Sequence, residues 1–109
     1  MRNQVYTAIL ALVLALSMSP VLAKELSSSI KVKPLKDRPD SFEEMNTPRL
    51  LKLAKISKER AKQIARKKYS GRFGKIDLEN EDGNLIWSVE VGKHELAIDA
   101  GNGKILMEE

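Results

Sequence analysis

Near the end of the chain, the stretch HELAIDAGNGKIL places an aspartate, Asp99, three residues before an asparagine, Asn102. Oxygen-bearing side chains this close together raise the question of a calcium loop, which needs a glycine at its sixth position and a carboxylate at its twelfth. Counted from Asp99, the sixth position is Lys104 and the twelfth lies past the last residue. The spacing therefore indicates a turn, with Asp99 accepting a bond from the backbone two residues on and Asn102-Gly103 forming a type I′ connection.

Three other groups of residues carry chemistry in principle. His94 is the only histidine and the chain has no cysteine, which excludes thiolate and multi-histidine metal sites. The serines at 27–29 have neither a glycine elbow nor a nearby histidine, so nucleophilic catalysis has no support. His94 is expected to be an exposed side chain at the edge of a strand.

The acidic residues Asp77, Glu79, Glu81 and Asp82 would hold a hard cation weakly, but alternation makes the first three the solvated face of a strand. Acid–base catalysis by paired carboxylates needs an apolar pocket, and the sequence indicates none. Trp87 shares a strand face with apolar residues and is expected in the core. The sequence thus predicts no catalytic, cofactor-binding or metal residues, no cofactor, and a protein that is not an enzyme.

The N-terminus is typical of a secretory signal. Arg2 precedes an apolar run of about a dozen residues, too short to span a bilayer, and Val21-Leu22-Ala23 suits a cleavage site. Residues 1–23 are therefore predicted to be a signal peptide cleaved after Ala23, and the protein to be periplasmic or secreted. A retained N-terminal anchor is the alternative. Residues 24–46 are predicted to be a flexible leader or linker, with a weakly signalled strand near 29–32.

Charge is divided unevenly along the predicted mature chain. Residues 24–72 hold fifteen Lys/Arg against six Asp/Glu, whereas residues 73–109 hold three against nine. Basic character suggests nucleic acid as a partner in a cytoplasmic protein, but an exported protein rarely meets it, so no nucleic acid is expected. The basic residues fit a solvated helix face, or weak contact with anionic lipid.

Two helix starts follow the leader. Thr47-Pro48 combines an N-cap residue with proline at the first helical position, and predicts a helix of one or two turns. Ser57 begins a second helix of three to four turns, with Gly71 expected as its C′ residue. The apolar stripe of that helix is formed by Ala61, Ile64, Ala65 and Tyr69.

After Gly74 the apolar residues recur at every second position, which is typical of strands with one buried face. Strands are predicted near 75–80, 85–91, 94–99 and 105–107, joined by turns at Asp82-Gly83 and Gly92-Lys93, the latter of type II′. Their inward residues are Ile76, Leu78, Leu85, Trp87, Val89, Val91, Leu96 and Ile98. The fold class is α+β: an amphipathic helix, preceded by a short helix, packed on an antiparallel β-meander of three to four strands within residues 47–109.

The order and spacing of these elements resemble the PepSY domain family over about residues 55–107. That family shows an I-[ST]-x-x-x-A-x-x-I-A helix, a glycine turn before a W/Y-x-V-x-V strand, and a closing D-[AP]-x-[TN]-G-K-[IV]-L. The matching residues are Ile56, Ser57, Ala61, Ile64, Ala65, Gly83, Trp87, Val89, Val91, Asp99, Ala100, Asn102, Gly103, Lys104 and Leu106. The connection at Gly92-Lys93 is shorter than in the family pattern.

The resemblance implies a non-catalytic module that restrains secreted metallopeptidases from their propeptides and also occurs in membrane and freestanding exported proteins. No peptidase domain follows in this sequence, so inhibition of a secreted or periplasmic peptidase is expected to act in trans. The alternative is a periplasmic sensing or interaction module that engages an envelope protein or an anionic membrane surface. A protein partner is expected in both cases.

Overall fold

The computed structural model describes residues 26–33 and 44–109 of the 109-residue chain. The predicted signal peptide, residues 1–23, lies outside the described residues, as does the middle of the predicted leader. Within the described ranges, no helix is long and apolar enough to cross a membrane.

The described chain forms two helices and one antiparallel sheet, which confirms the predicted α+β class. The strands lie side by side in the order of the sequence, as a meander. The sheet has five strands, one more than the upper prediction, because two residues of the predicted leader pair with it. The elements are β1 (Glu44–Met45), α1 (Pro48–Leu53), α2 (Lys58–Lys68), β2 (Phe73–Glu81), β3 (Asn84–Val91), β4 (His94–Asp99) and β5 (Ile105–Glu108).

Both helices begin where the capping residues predict. The Thr47 hydroxyl accepts from the Leu50 N–H at 3.4 Å, and the Ser57 hydroxyl accepts from the Arg60 N–H at 3.0 Å. The expectation for the end of α2 is wrong: Tyr69, in an extended conformation, caps the helix. Gly71 lies two residues farther on.

Two of the three predicted turns have the expected geometry. Asp82 and Gly83 both have positive φ, as a type I′ turn requires, and Gly92 has φ 60° at the first position of a type II′ turn. The type I′ prediction at Asn102-Gly103 is wrong, because only Gly103 has positive φ. A longer loop forms there instead, closed by the Gly103 N–H donating to the Asp99 carbonyl at 2.9 Å.

The main core lies between the helices and one face of the sheet. Ala61 and Ala65 are completely buried, and their small side chains let α2 approach the sheet closely. All predicted inward residues except the half-buried Ile76 are buried in this core. A second, smaller cluster on the opposite face contains Ile86 and Ala97, covered in part by Leu26, Leu106 and Met107.

The opposite face corrects the prediction of a solvated acidic strand. Glu79 and Glu81 are 8% and 9% exposed, respectively, and each has an interaction partner. Glu79 lies between Met45 of β1 and Ile86 of β3 in the sheet register. Because β1 makes β2 an interior strand at this point, side chains on both sides remove Glu79 from solvent.

Candidate functional site

The carboxylate of Asp99 lies where the sheet ends, and it is buried. It accepts from the N–H of Gly101 at 2.7 Å, as the turn interpretation predicts, and from the N–H of Asn102 at 3.3 Å. It also accepts from Ser29, through the N–H at 2.7 Å and the hydroxyl at 2.8 Å, and at 3.2 Å from the Ser28 hydroxyl, whose one proton is shared with the Leu85 carbonyl at 2.7 Å. We call Asp99 and its four donor residues the Asp99 junction.

Residues 26–33, the N-terminal strap, reach the sheet through this junction. Beyond it, the Val32 N–H donates to the Gly83 carbonyl at 2.7 Å, and the Ile30 carbonyl accepts from the Leu85 N–H at 3.1 Å. These bonds hold the strap beside β3, where β4 has already turned away. In place of the weakly signalled strand at 29–32, the strap forms an isolated bridge between Lys31 and Asn84. The contacts with Asp99 were missed because their partners are about 70 residues apart in sequence.

Burial raises the pKa of Asp99, but the hydrogen bonds donated by Gly101, Ser29 and Asn102 together outweigh that effect, so the pKa lies below its ordinary value. An ionised carboxylate whose oxygens are occupied by five donors is a structural acceptor rather than a general base. Ser28 and Ser29 of the strap are likewise used as donors to Asp99 and to the backbone. Their arrangement supports the turn interpretation and ties it to the strap.

His94 packs against α2 rather than lying free at a strand edge. Its ring stacks on Tyr69, with 3.7 Å between the centroids and 16° between the planes. The Tyr69 hydroxyl and the Lys68 ammonium both donate to Glu108, and these bonds lower the pKa of Glu108. The bonds to Glu108 join the end of α2 to β5, and the ring stack joins it to His94 of β4. His94 therefore contributes to packing between the helix and the sheet.

Glu95, at the start of β4, is a partly buried acid with a strongly raised pKa. Burial is the main cause that raises its pKa to about 7, and the carboxylates of Glu90 and Glu109 add to the effect. It lies opposite Glu90 in the β3–β4 register, and its Oε2 atom has no hydrogen-bond partner among the described residues. Within those residues, no group of three or more His, Cys, Asp or Glu is placed to hold a metal ion.

The candidate binding site is a groove of about 690 Å³ between β2 and the chain that joins the two helices. We call it the α1–β2 groove. It is lined by Asn46, Leu51, Ala54, Lys55, Ile56, Ser57, Lys58, Ile76, Asp77 and Trp87. The sequence predicted Trp87 to be a core residue, and it is 4% exposed, but it also contributes to the lining.

Hydrogen bonds hold the walls of the groove in place. The Trp87 indole N–H donates to the Ile56 carbonyl at 3.1 Å, and the N–H groups of Lys55 and Ile56 donate to the Ala100 carbonyl at 2.9 and 3.0 Å. Outside the lining, Arg49 of α1 forms an ion pair of 2.7 Å with the buried Glu44 of β1. The groove is therefore already formed in the chain by itself.

One edge of the groove is the outer edge of β2. The Leu78 carbonyl accepts from the Asn46 N–H at 2.7 Å, and the Leu78 N–H donates to the Asn46 side chain at 2.8 Å. Backbone groups two residues apart in a strand point to the same side, so Ile76 directs its N–H and C=O outward as well. In the described chain β1 pairs only with Glu79 and Asn80, and no strand lies beside Ile76.

One exposed apolar side chain lies on this groove. The large apolar side chains that are exposed in the described residues are Met45 (46%), Leu51 (52%) and Leu53 (42%). Of these, Leu51 lines the groove. An exposed apolar group at a concave site is a feature of interaction surfaces.

Comparison with known families finds one match. The family model for PepSY, described as peptidase propeptide and YPEB domain, matches residues 55–109, just over half of the chain. Neither the curated proteins nor the solved structures contain a match. The matched residues include α2 and strands β2 to β5, whereas the strap, β1 and α1 precede them.

Proposed function

Because the chain belongs to the PepSY family, whose description includes peptidase propeptides, we propose that it is an exported, non-catalytic protein that binds and restrains a secreted or periplasmic peptidase in trans. The protein is cleaved after Ala23 and acts outside the cytoplasm. It acts by occupying the peptidase, not by a reaction of its own. The residues that suggested chemistry support this role, because Asp99, Ser28 and Ser29 are engaged in one hydrogen-bonded junction.

The observation that carries the proposal is the α1–β2 groove. It combines a lining that is half apolar and half polar, an exposed leucine and an outward-facing backbone segment at Ile76, in a frame fixed by hydrogen bonds. A preformed concave surface binds with a smaller entropic cost than one that must order on contact. Strand addition at a sheet edge is a common way in which proteins hold extended segments of their partners.

The test is capture followed by inhibition. The protein, purified after export with its natural N-terminus, is immobilised and exposed to the secreted and envelope proteins of its source at several salt concentrations. A captured peptidase is then assayed with the protein added in solution. We expect inhibition that Leu51→Glu weakens by about tenfold or more, since it places a charge in the groove. Gln63→Glu, at an exposed position outside the lining, makes the same change in net charge and is the matched control. A captured peptidase that is not slowed would contradict the proposal.

A second candidate function is supported by the basic surface of α2. Its exposed cations include Lys58, Arg60, Arg66 and Lys67, and such a helix face attracts anionic lipid. This alternative is an envelope interaction module that contacts a membrane surface or an acidic envelope protein. Sedimentation with anionic vesicles that is lost at physiological salt, without any peptidase captured, would favour it over the inhibitor.

A further inference from the structure

We propose that the α1–β2 groove receives an extended segment of the peptidase chain in which an apolar side chain is flanked by carboxylates. This inference rests on the proposed function, because it states which part of the partner is held. It is argued from three features of the groove: its backbone edge, its apolar lining and its charge.

The backbone edge sets the position at which the bound segment pairs. Ile76 presents one N–H and one C=O to the groove, and Asn46 occupies the next outward position along β2, at Leu78. An incoming strand therefore pairs at Ile76 and is stopped by Asn46. Such a short pairing region holds a brief extended segment and excludes a long strand.

The lining sets the side chain that enters. Ile56, Ile76 and Trp87 form an apolar surface, and Leu51 stands 52% exposed at the side. A branched aliphatic side chain placed here removes its own apolar surface and that of Leu51 from water. Side chains of an extended segment alternate, so the residues on either side of this anchor point away from the lining and toward the rim.

Charge on the lining sets the flanking residues. Lys55 and Lys58 are both exposed lining residues, and Lys52 is exposed on the preceding turn of α1. Asp77 is the acidic residue of the lining, and its carboxylate accepts from the Asn46 side chain at 2.9 Å. The surroundings of the anchor are therefore positive, which favours a segment with acidic flanks over a basic one.

The groove contains its own reporter, because Trp87 is the only tryptophan of the chain. We would titrate the exported protein with a blocked hexapeptide that carries Leu-Val between pairs of Glu, and follow the tryptophan fluorescence. The matched probe has Lys in place of Glu. We expect the acidic peptide to bind at least about tenfold more tightly than the basic one, with slower hydrogen exchange at the Ile76 amide.

Charge reversal sharpens the test. Lys55→Glu with Lys58→Glu should weaken the acidic peptide by about tenfold or more and strengthen the basic one. Lys93→Glu with Lys104→Glu makes the same change in net charge at exposed positions outside both the lining and α2, and should alter either affinity by less than about twofold. Equal effects of the two double variants would show general electrostatic attraction and overturn the proposal.

Other outcomes also decide the question. Absence of a fluorescence change up to about 1 mM peptide would overturn the inference. A fluorescence change on raising the protein concentration alone would also overturn it, because the groove would then bind a second copy of the chain. A change caused by anionic vesicles and not by the peptide would overturn it as well. Failure of the proposed function is distinguishable from failure of this inference. If the peptide binds but no peptidase is inhibited, the groove still binds such a segment and the proposed function is wrong. If a peptidase is inhibited and Leu51→Glu has no effect, the proposed function holds and the role of the groove is wrong.

Discussion

The Asp99 junction and the α1–β2 groove both join strands to neighbouring chain, but they treat their polar groups in opposite ways. At the junction, one carboxylate accepts five hydrogen bonds and is almost completely removed from solvent. At the groove, Ile76 directs backbone groups outward beside a leucine that is half-exposed. Buried polar groups need hydrogen-bond partners within the fold, whereas exposed polar groups remain available to bond with another molecule. The difference separates a site that maintains the fold from one available for binding.

The largest effect is expected from breaking the junction. Asp99→Ala leaves the N–H groups of Ser29 and Gly101 without their acceptor, so we expect the free energy of unfolding to fall by about 3 kcal/mol. Urea denaturation measures it. Asp77→Ala removes the same charge and a single bond to Asn46, and should cost less than about 1 kcal/mol. Equal losses in the two variants would show that Asp99 has no special role.

A smaller loss is expected from one serine of the strap. The Ser28 hydroxyl donates to the Leu85 carbonyl at 2.7 Å and accepts from the Ile30 N–H at 3.1 Å, so Ser28→Ala should lower stability by about 1–2 kcal/mol. The neighbouring Ser27 is exposed and accepts a bond from the Lys31 ammonium. Ser27→Ala is therefore the matched control, and thermal unfolding should not distinguish it from the parent protein. A neutral Ser28→Ala would mean that the strap is not held by this hydroxyl.

An intermediate case is Glu95, which is partly buried and incompletely bonded. Its folded pKa of about 7 exceeds the ordinary value of 4.5, so the stability it contributes is complete below pH 4.5 and is lost as the pH rises through 7. Since the side chain is partly exposed, solvent screening reduces the loss to about 1 kcal/mol.

The measurement is unfolding free energy at pH 4 and pH 8 for Glu95→Gln. We expect this variant to be more stable than the parent protein at pH 8 and equal to it at pH 4, because the amide stays neutral throughout. Glu59→Gln, at an exposed position of α2, should leave the pH dependence unchanged. A parallel shift of both curves would argue against titration of Glu95.

The smallest effect on stability is expected in the groove. Leu51→Ala should change the free energy of unfolding by less than about 0.5 kcal/mol, because that side chain is already half-exposed. Leu50, the preceding residue of α1, is fully buried, and Leu50→Ala should be several times more destabilising in the same urea titration. If Leu51→Ala proved as costly as Leu50→Ala, the groove would belong to the core and not to a binding surface.

What could be predicted from the sequence follows from local chemistry. The caps Thr47 and Ser57, the turn at Asp82-Gly83 and the alternation in β3 each depend on residues within a few positions of one another. The resemblance to the PepSY family rested on the same local patterns, and the family match confirms it.

The features that could not be predicted depend on contacts between residues far apart in the sequence. From the sequence alone, a carboxylate at the end of a strand is expected to be solvated. Asp99 is instead covered by Ser28 and Ser29 of the strap, which come from the other end of the chain. The burial of Glu79 could not be predicted either, because β1, which covers it, consists of two residues and has too little alternation to be recognised as a strand. The groove could not be predicted for the same reason, because its lining comes from α1, the chain that joins the two helices, β2 and β3.

Gly71 and Gly92 touch each other where the exit of α2 passes the β3–β4 hairpin. A Cβ atom at Gly71 would lie 2.6 Å from the Gly92 Cα, and the Gly92 N–H donates to the Arg72 carbonyl at 2.8 Å. The lengths of these two connections are therefore interdependent: a residue inserted into either one would displace the other. Insertions that many surface loops accept should be rejected here unless both connections lengthen together, so related chains with a longer β3–β4 loop should also differ in the loop that follows α2.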